Sequence, residues 1–407
     1  MAAPTVPLIK VAKVIMGQSP PGDTYNEDGD GLPLLNGPTE FGTTSPTCTQ
    51  FTTDSRRECE AGDLIFCVRG STTGRMNWAD RKYSLGRGVC GIRGETAAET
   101  RFVRYCIQDQ LHALLQLAGG GTFPNLTKDD IEEFEIPWPD NRARIAGILS
   151  AYDELMENSQ RRIRLLEAMA RALYREWFVH FRIPAEVLTK AGASRIKLVA
   201  SPLGPIPHGW KVKKLGDVVT YNRRATKPGS HLEDRRYVPI DCLPSKSLAL
   251  LEAEPIEEAQ SSLQLFEKGD ILFGAMRAYF HKVAVAPFNG VTRTTCFVFK
   301  PTQPEWKAFA TMTVFEEATV AYANSHSQGA TIPYAVWDGS LSEMPLVLPP
   351  DDLLRQFEKV VAPMLAHISQ SFFTLNNLRR TRDLLLPRLL SGQVVLNFPA
   401  ASAFSKS

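Results

Sequence analysis

Two tracts of arginine and lysine carry the chemistry most open to reading in this 407-residue chain. Between Arg69 and Arg104 stand eight basic residues (Arg69, Arg75, Arg81, Lys82, Arg87, Arg93, Arg101, Arg104) against three acidic ones. Between Lys211 and Arg236 there are again eight (Lys211, Lys213, Lys214, Arg223, Arg224, Lys227, Arg235, Arg236) against three. The net charge of the chain is only +2, so both tracts are local excesses in a nearly neutral protein. Such residues can neutralise nucleic-acid phosphates, or they can form a solvated face. One tract in each half of the chain adds weight to the first reading. Arg69 runs into Gly70-Ser71-Thr72-Thr73-Gly74, whose hydroxyls beside an arginine suit phosphate and base-edge contacts. Gly274-Ala275-Met276-Arg277-Ala278-Tyr279 holds the corresponding place further on.

Catalytic patterns are missing. There is no G-x-x-x-x-G-K-[ST], no H-E-x-x-H, no G-x-S-x-G and no [ND]-P-P-[FYW]. Gly86-Arg87-Gly88-Val89-Cys90-Gly91 fits G-x-G-x-x-G, but Ile92-Arg93-Gly94 after it cannot open a helix, so it reads as a turn between strands. The seven cysteines form no C-x-x-C pair, which argues against a zinc or redox site and for free thiols in a reducing cytoplasm. Hydrophobic residues at 43% and charged residues at 22% exclude a chain disordered throughout. The N-terminus lacks the layout of a signal peptide, and no apolar run reaches the roughly 20 residues of a membrane span. A soluble, cytoplasmic protein is expected.

The elements that must position these residues come in two copies. Gly62-Asp63-Leu64-Ile65-Phe66 recurs as Gly269-Asp270-Ile271-Leu272-Phe273, Thr122-Phe123-Pro124 as Thr331-Ile332-Pro333, and Ile136-Pro137-Trp138-Pro139 as Leu346-Val347-Leu348-Pro349. After each proline cluster a heptad seam begins. In the first, one column is Ile145, Tyr152, Ser159, Leu166, Leu173 and the other Leu149, Met156, Ile163, Ala170, Trp177. In the second, the columns are Phe357, Met364, Ser371, Leu378, Leu385 and Val361, Ile368, Leu375, Arg382, Leu389. Matching seams of this length predict a coiled coil, against the alternative of two helices lying on separate globular bodies. Pro363 and Pro387 predict a late start or kink and a frayed end. The segment before each helix has short strand-like runs broken by Gly, Pro, Asn and Ser, as in a mixed α/β or mostly β domain. Ser201-Pro202-Leu203-Gly204-Pro205-Ile206-Pro207 predicts a linker.

With these residues in place, the chain resembles the specificity subunits of Type I restriction–modification systems. The resemblance rests on Gly17-Gln18-Ser19-Pro20-Pro21-Gly22 with Tyr25-Asn26, the Gly-Asp repeats, the hinge into Ile206-Pro207-His208-Gly209-Trp210, and the proline step into a long helix found twice. No single motif is specific; their order and duplication are. It implies an α+β fold with two target recognition domains, largely β, held apart by two long helices in an antiparallel coiled coil. The expected divisions are recognition domains at 1–140 and 208–350, spacer helices at 141–182 and 351–392, a linker at 183–207 and a flexible tail at 393–407. A helix of about 39 residues spans roughly 58 Å, which suits major grooves one to two turns apart at roughly 34–36 Å per turn. The helices would then act as a ruler.

The resemblance further implies a subunit without catalysis that reads an asymmetric bipartite site in double-stranded DNA. Two modification subunits would bind S-adenosylmethionine and methylate adenine. Restriction subunits would use ATP and Mg. This chain would hold no cofactor and no metal. The family helix usually opens with Glu-Gln, where this chain has Asn141-Arg142-Ala143-Arg144. The alternative is a stand-alone DNA-modifying or DNA-cleaving enzyme. Expected DNA contacts are Gln18, Ser19, Arg69, Ser71, Thr72 and Arg75 in the first domain, and Arg223, Arg224, Lys227, Arg277, Tyr279 and Lys282 in the second.

Overall fold

The computed structural model describes residues 4–42, 44–119, 124–192, 195–394 and 396. The chain divides into two compact units, one of residues 1–155 with 379–407 and one of residues 156–378.

In the first unit β1 (Thr5–Pro7) and β2 (Ala12–Met16) are followed by β3 (Leu64–Cys67), β4 (Met76–Trp78) and β5 (Val89–Gly94), then α1 (Ala97–Asp109), α2 (Leu111–Gln116), β6 (Glu135–Pro137) and α3 (Arg142–Tyr174). An antiparallel sheet has the order β2-β5-β3-β4, and β1 pairs with β6. A second sheet orders Tyr25–Asn26, Phe51–Thr52, Leu32–Leu35, Tyr83–Leu85 and Glu58–Cys59. The run Leu64-Ile65-Phe66-Cys67 is wholly buried because β3 lies between two cores. Leu64 and Phe66 face the α1 side, with Phe102 and Tyr105, while Ile65 faces the second sheet, with Tyr83 and Leu85.

The second unit repeats this plan. It has β7 (Lys211–Lys214), β8 (Val219–Tyr221), β9 (Ile271–Gly274), β10 (Val283–Val285), β11 (Cys296–Pro301), α4 (Lys307–Phe315), α5 (Glu317–Ser325), β12 (Pro345–Leu348) and α6 (Asp351–Leu390). The sheet order is β8-β11-β9-β10, and β7 pairs with β12, so the main sheet and the strand pair of the first unit return strand for strand, while the other sheet has four strands here against five in the first unit. Ile271 and Phe273 share the helix-side core, and Leu272 points to the other one.

The repeated Gly-Asp pair is a turn device. Gly62 and Gly269 both sit at φ +91°. Asp63 accepts from the Glu60 amide at 2.9 Å, and Asp270 from the Glu267 amide at 2.8 Å. A glycine relieves the left-handed turn and a buried carboxylate closes it just before the central strand.

The long helices pair within each unit. In the first, Asp153 meets Arg382, and Ile145 and Leu149 share a core with Leu386, Leu389 and Leu390, so the directions are antiparallel. In the second, Met156, Ile163 and Ala170 join Val361, Ile368 and Leu375, and Trp177 packs edge-on against Phe357 at 5.6 Å. Leu149, Met156, Ile163, Ala170 and Trp177 are all buried, as are Val361, Ile368, Leu375 and Leu389. In the other column Ile145 and Phe357 are buried, while Tyr152, Ser159, Leu166, Leu173, Met364, Ser371, Leu378 and Leu385 are half-buried. A third row turns toward the globular part of its own unit, where Phe372 packs on Phe288 at 4.8 Å. The seams are therefore continuous with the domain cores, a feature outside a simple rod.

Two expectations are corrected. Helix α6 runs unbroken through Pro363 and Pro387. Each proline removes one backbone hydrogen bond, both are exposed, and the buried column beside them keeps the helix in place. The stretch 183–207 is also more than a linker. It holds a short helix, Ala185–Lys190, and Leu198–Val199 pairs with Ile206–Pro207 around a turn in which Gly204 adopts φ +88°. Ile183 and Val187 pack on the second unit's core. Of the tail, Val394 and Leu396 pack on the first unit's core, and residues 395 and 397–407 lie outside the described residues. No described helix is long and apolar enough to cross a membrane.

Candidate nucleic-acid interface

In the first unit three loops meet at one end of the sheet. Gly17, leaving β2, donates its amide to Val89 at 3.0 Å, and Gln18 donates to Leu85 at 2.8 Å. Val68, leaving β3, donates to Gly88 at 2.9 Å, and Gly70 to Pro124 at 3.2 Å. A Cβ on Gly17 would lie 2.0 Å from the Gly86 carbonyl oxygen, so only glycine allows this approach. The Gly86–Gly88 segment is the strand-to-strand turn that enters β5. It carries Arg87, whose Nε donates to Ser19 Oγ at 3.1 Å. Gln18, Ser19, Arg69 and Arg87 are thus brought to one surface. Ser71, Thr72 and Arg75 follow on the β3–β4 hairpin, closed by the Cys67 amide donating to the Arg75 carbonyl at 2.8 Å. Thr73 Oγ1 spans from Gly70 to Pro124, holding the hairpin base.

Half of the first basic tract is structural. Arg93 forks onto buried Asp63 at 2.6 and 2.7 Å, Arg104 pairs with Asp153 at 2.8 Å, Lys82 with Glu58, and Arg81 with Asp80 at 3.8 Å. Arg69, Arg75, Arg87 and Arg101 have no carboxylate partner among the described residues. Free guanidinium groups therefore concentrate on the loop cluster, with Arg101 apart from it on α1.

The second unit uses the same backbone frame. Asn222 donates to Val298 at 2.8 Å, Ala275 to Thr295 at 2.9 Å, and Arg277 to Pro333 at 2.8 Å. Asn222 thus stands for Gly17, Ala275 for Val68, Arg277 for Gly70 and Pro333 for Pro124. The repeated proline anchors the reading loop in both copies through its carbonyl; Thr122 and Phe123 of the first motif lie outside the described residues. The side chains at matched positions differ. Gln18 and Ser19 are replaced by Arg223 and Arg224, Arg69 by Met276, and Asn125 by Tyr334.

Arg277 takes φ +52° where the first copy has Gly70 at φ +90°. His281 is also left-handed, and between them Tyr279 and Phe280 project, 50% and 45% exposed with ring centroids 4.7 Å apart. Such strain in L-residues costs about 1–3 kcal/mol and gathers at ligand-contacting turns. Arg223 pairs with Asp338 and lies over the Tyr221 ring, and Arg224 pairs with Glu267 at 2.7 Å. Lys227 is exposed. Lys282 points inward, its ammonium donating to the Ile240 carbonyl at 2.9 Å, which sets it apart from the surface residues. Arg87, Asn125, Met276 and Tyr334 were missed by reading residue types alone. Aligning the two copies through their proline motifs is the signal that finds them.

No group of His, Cys, Asp or Glu suited to a metal ion occurs among the described residues. All seven cysteines are unpaired, and burial pushes the Cys48 and Cys59 thiols up to about 12, which keeps them protonated and poorly nucleophilic. This surface can hold phosphates and base edges.

The fold defines a class: a duplicated sheet-and-helix protein whose two long helices pair, with one variable loop cluster per copy. Residues 5–168 match the family described as Type I restriction modification DNA specificity domain. A protein of Methanocaldococcus jannaschii named as the MjaX specificity subunit of a type I restriction enzyme is 36% identical over 151 residues, which is 36% of this chain and 35% of that one. The MjaIX specificity subunit of the same organism is 25% identical over 301 residues, 69% of this chain and 65% of that one. The chain thus spans about a third of the first relative and somewhat under two thirds of the second. The crystal structure of a Type-I restriction-modification system S subunit from M. genitalium shares the fold, with a TM-score of 0.59 and 17% identity over 95% of this chain and 96% of that one. Residues 5–168 thus match the type I restriction modification DNA specificity domain, and the chain as a whole shares the fold of a type I S subunit.

Proposed function

We propose that this chain is the DNA-reading subunit of a type I restriction–modification complex and performs no chemistry itself. Each loop cluster reads one half of a bipartite site in double-stranded DNA, and the paired helices set the unread spacing. The observation that carries the reading is the matched backbone frame with unlike side chains: one scaffold holds Gln18, Ser19, Arg69 and Arg87 in one copy and Arg223, Arg224, Met276 and Arg277 in the other. A shared frame with different tips is what recognition of two different half-sites requires.

Two modification subunits would dock along the helices, where Leu165 and Met169 are more than half exposed. They would bind S-adenosylmethionine, and restriction subunits would add ATP- and Mg-dependent cleavage in the cytoplasm. The experiment is a domain exchange. The host site is mapped by long-read detection of methylated adenine, and residues 1–140 are then replaced by the equivalent domain of a relative, co-expressed with the modification subunit. One half of the methylated site should change while the other stays. Two unchanged halves, or activity of the purified chain alone, would overturn the reading.

A further inference from the structure

The second unit carries a basic groove outside both loop clusters. It is an open cavity of about 520 Å³ along the C-terminal half of α3, lined by Arg164, Glu167, Ala168, Arg171, Ala172 and Arg175, with Glu176, His180 and Lys246 at its end and rim. Arg164, Arg171 and Arg175 recur at intervals of seven and four residues and so share one helix face. Ala168 and Ala172 between them are small, which leaves the floor open.

The carboxylates in the groove are already engaged. Glu167 accepts from Ser247 Oγ at 2.7 Å and from the Leu248 and Ala249 amides at 2.7 and 3.2 Å, which fastens the 246–249 loop to the helix. Glu176 is held by Arg182. On the opposite side Arg175 pairs with Glu316 at 3.1 Å, and Arg171 lies over the Phe315 ring at 4.7 Å. Arg164 and Lys246 are exposed and have no carboxylate partner among the described residues. Lys246 is held rigidly at φ +56°, its amide donating to the His281 carbonyl at 2.8 Å. The backbone turn thus sets Lys246, and surplus positive charge, beside the Arg277–His281 turn.

We propose that this groove binds the phosphodiester backbone of duplex DNA flanking the half-site read by the second unit, with Arg164, Arg171 and Lys246 donating to phosphate oxygens. The inference rests on the reading of the preceding section and extends it to a new site. Two observations favour DNA over an acidic protein segment. The groove joins the reading loop directly, through Lys246 and through Ser245 Oγ donating to the Phe280 carbonyl. Arg164 and Arg171 lie about 10.5 Å apart at 1.5 Å per residue, close to three phosphate steps of roughly 3.4 Å along one strand. In the other copy, 212 residues on, Asn376, Asp383 and Pro387 replace the three arginines, so this arginine set is not repeated at the matching positions of α6.

The test uses the full chain, a duplex carrying the mapped site and a scrambled duplex, with affinity measured across a salt series. Changing Arg164 and Lys246 to glutamine, and separately to glutamate, removes two phosphate contacts at exposed positions. The slope of log affinity against log salt should flatten by about 1.8, and both duplexes should lose affinity roughly tenfold, with their ratio unchanged. An unchanged slope overturns the groove while leaving DNA reading intact. So does intact DNA binding with lost co-purification of a modification subunit, which would assign the groove to an acidic protein surface. A wild-type chain that fails to prefer its mapped site over the scrambled duplex overturns the reading of the whole subunit.

Discussion

Arg382 interrupts an otherwise apolar column, and its partners explain how the interruption is tolerated. Asp153 accepts from Arg382 at 2.7 Å, Arg104 at 2.8 Å and the Tyr105 hydroxyl at 2.7 Å. Burial pushes the Asp153 carboxyl up, but the two guanidinium groups and the hydroxyl outweigh it and hold it below its ordinary value. Removing either partner should have unequal effects. Arg382→Leu leaves Asp153 with two donors and should cost about 1 kcal/mol, whereas Asp153→Ala leaves Arg104 without a carboxylate and Arg382 with Asp383 alone, and should cost about 3 kcal/mol. Urea unfolding checks the order. Because the folded-state pKa lies below the unfolded value of about 3.9, the stabilisation is complete above that pH and is lost as pH falls through the depressed value. Asp153→Ala should therefore flatten the acid limb of the stability profile. Arg277 gives the opposite trade. Arg277→Gly should stabilise the fold by about 1 kcal/mol by relieving the left-handed backbone, while weakening recognition of one half-site by about 1–3 kcal/mol. Thermal melts and gel shifts of the same variant read both. Neither residue could be understood from its type alone, since Arg382 depends on a partner 229 positions away and Arg277 on the glycine in the other copy.

At the scale of elements, the heptad seam was legible because burial imposes its period on sequence directly, and every apolar residue of its deeper column is buried. The Gly-Asp repeat was equally visible, but its meaning lay in backbone geometry: it closes the turn before the central strand. Pro363 and the 201–207 segment were misread for one common reason. Proline marks lost hydrogen-bonding capacity, and tertiary packing decides whether that loss ends an element. The first copy places Ala151 where the second has Pro363. Pro363→Ala should restore the missing helical hydrogen bond and raise stability by about 1–3 kcal/mol, seen as a higher urea midpoint with an unchanged m-value. The basic tracts were the weakest guide to the site. Lysine and arginine counts do not separate charges spent on Asp63 or Asp153 from those left on the loops.

For the whole molecule, the first compact unit is discontinuous: residues 379–407 belong with residues 1–155. Leu386, Leu389 and Leu390 are buried against Ile145 and Leu149 in its core. Ending the chain after residue 378 should therefore expose that core and broaden or lower the first unit's thermal transition, rather than trim an inert end. Protease digestion should then cut first within residues 1–155. The same arrangement bears on how the protein is made. On the ribosome, residues 1–155 lack their closing piece until residues 379–390 emerge, so the newborn chain must shield an unfinished apolar seam while more than two hundred intervening residues are made, and any product stalled or released in that interval is the form most exposed to chaperones and proteases.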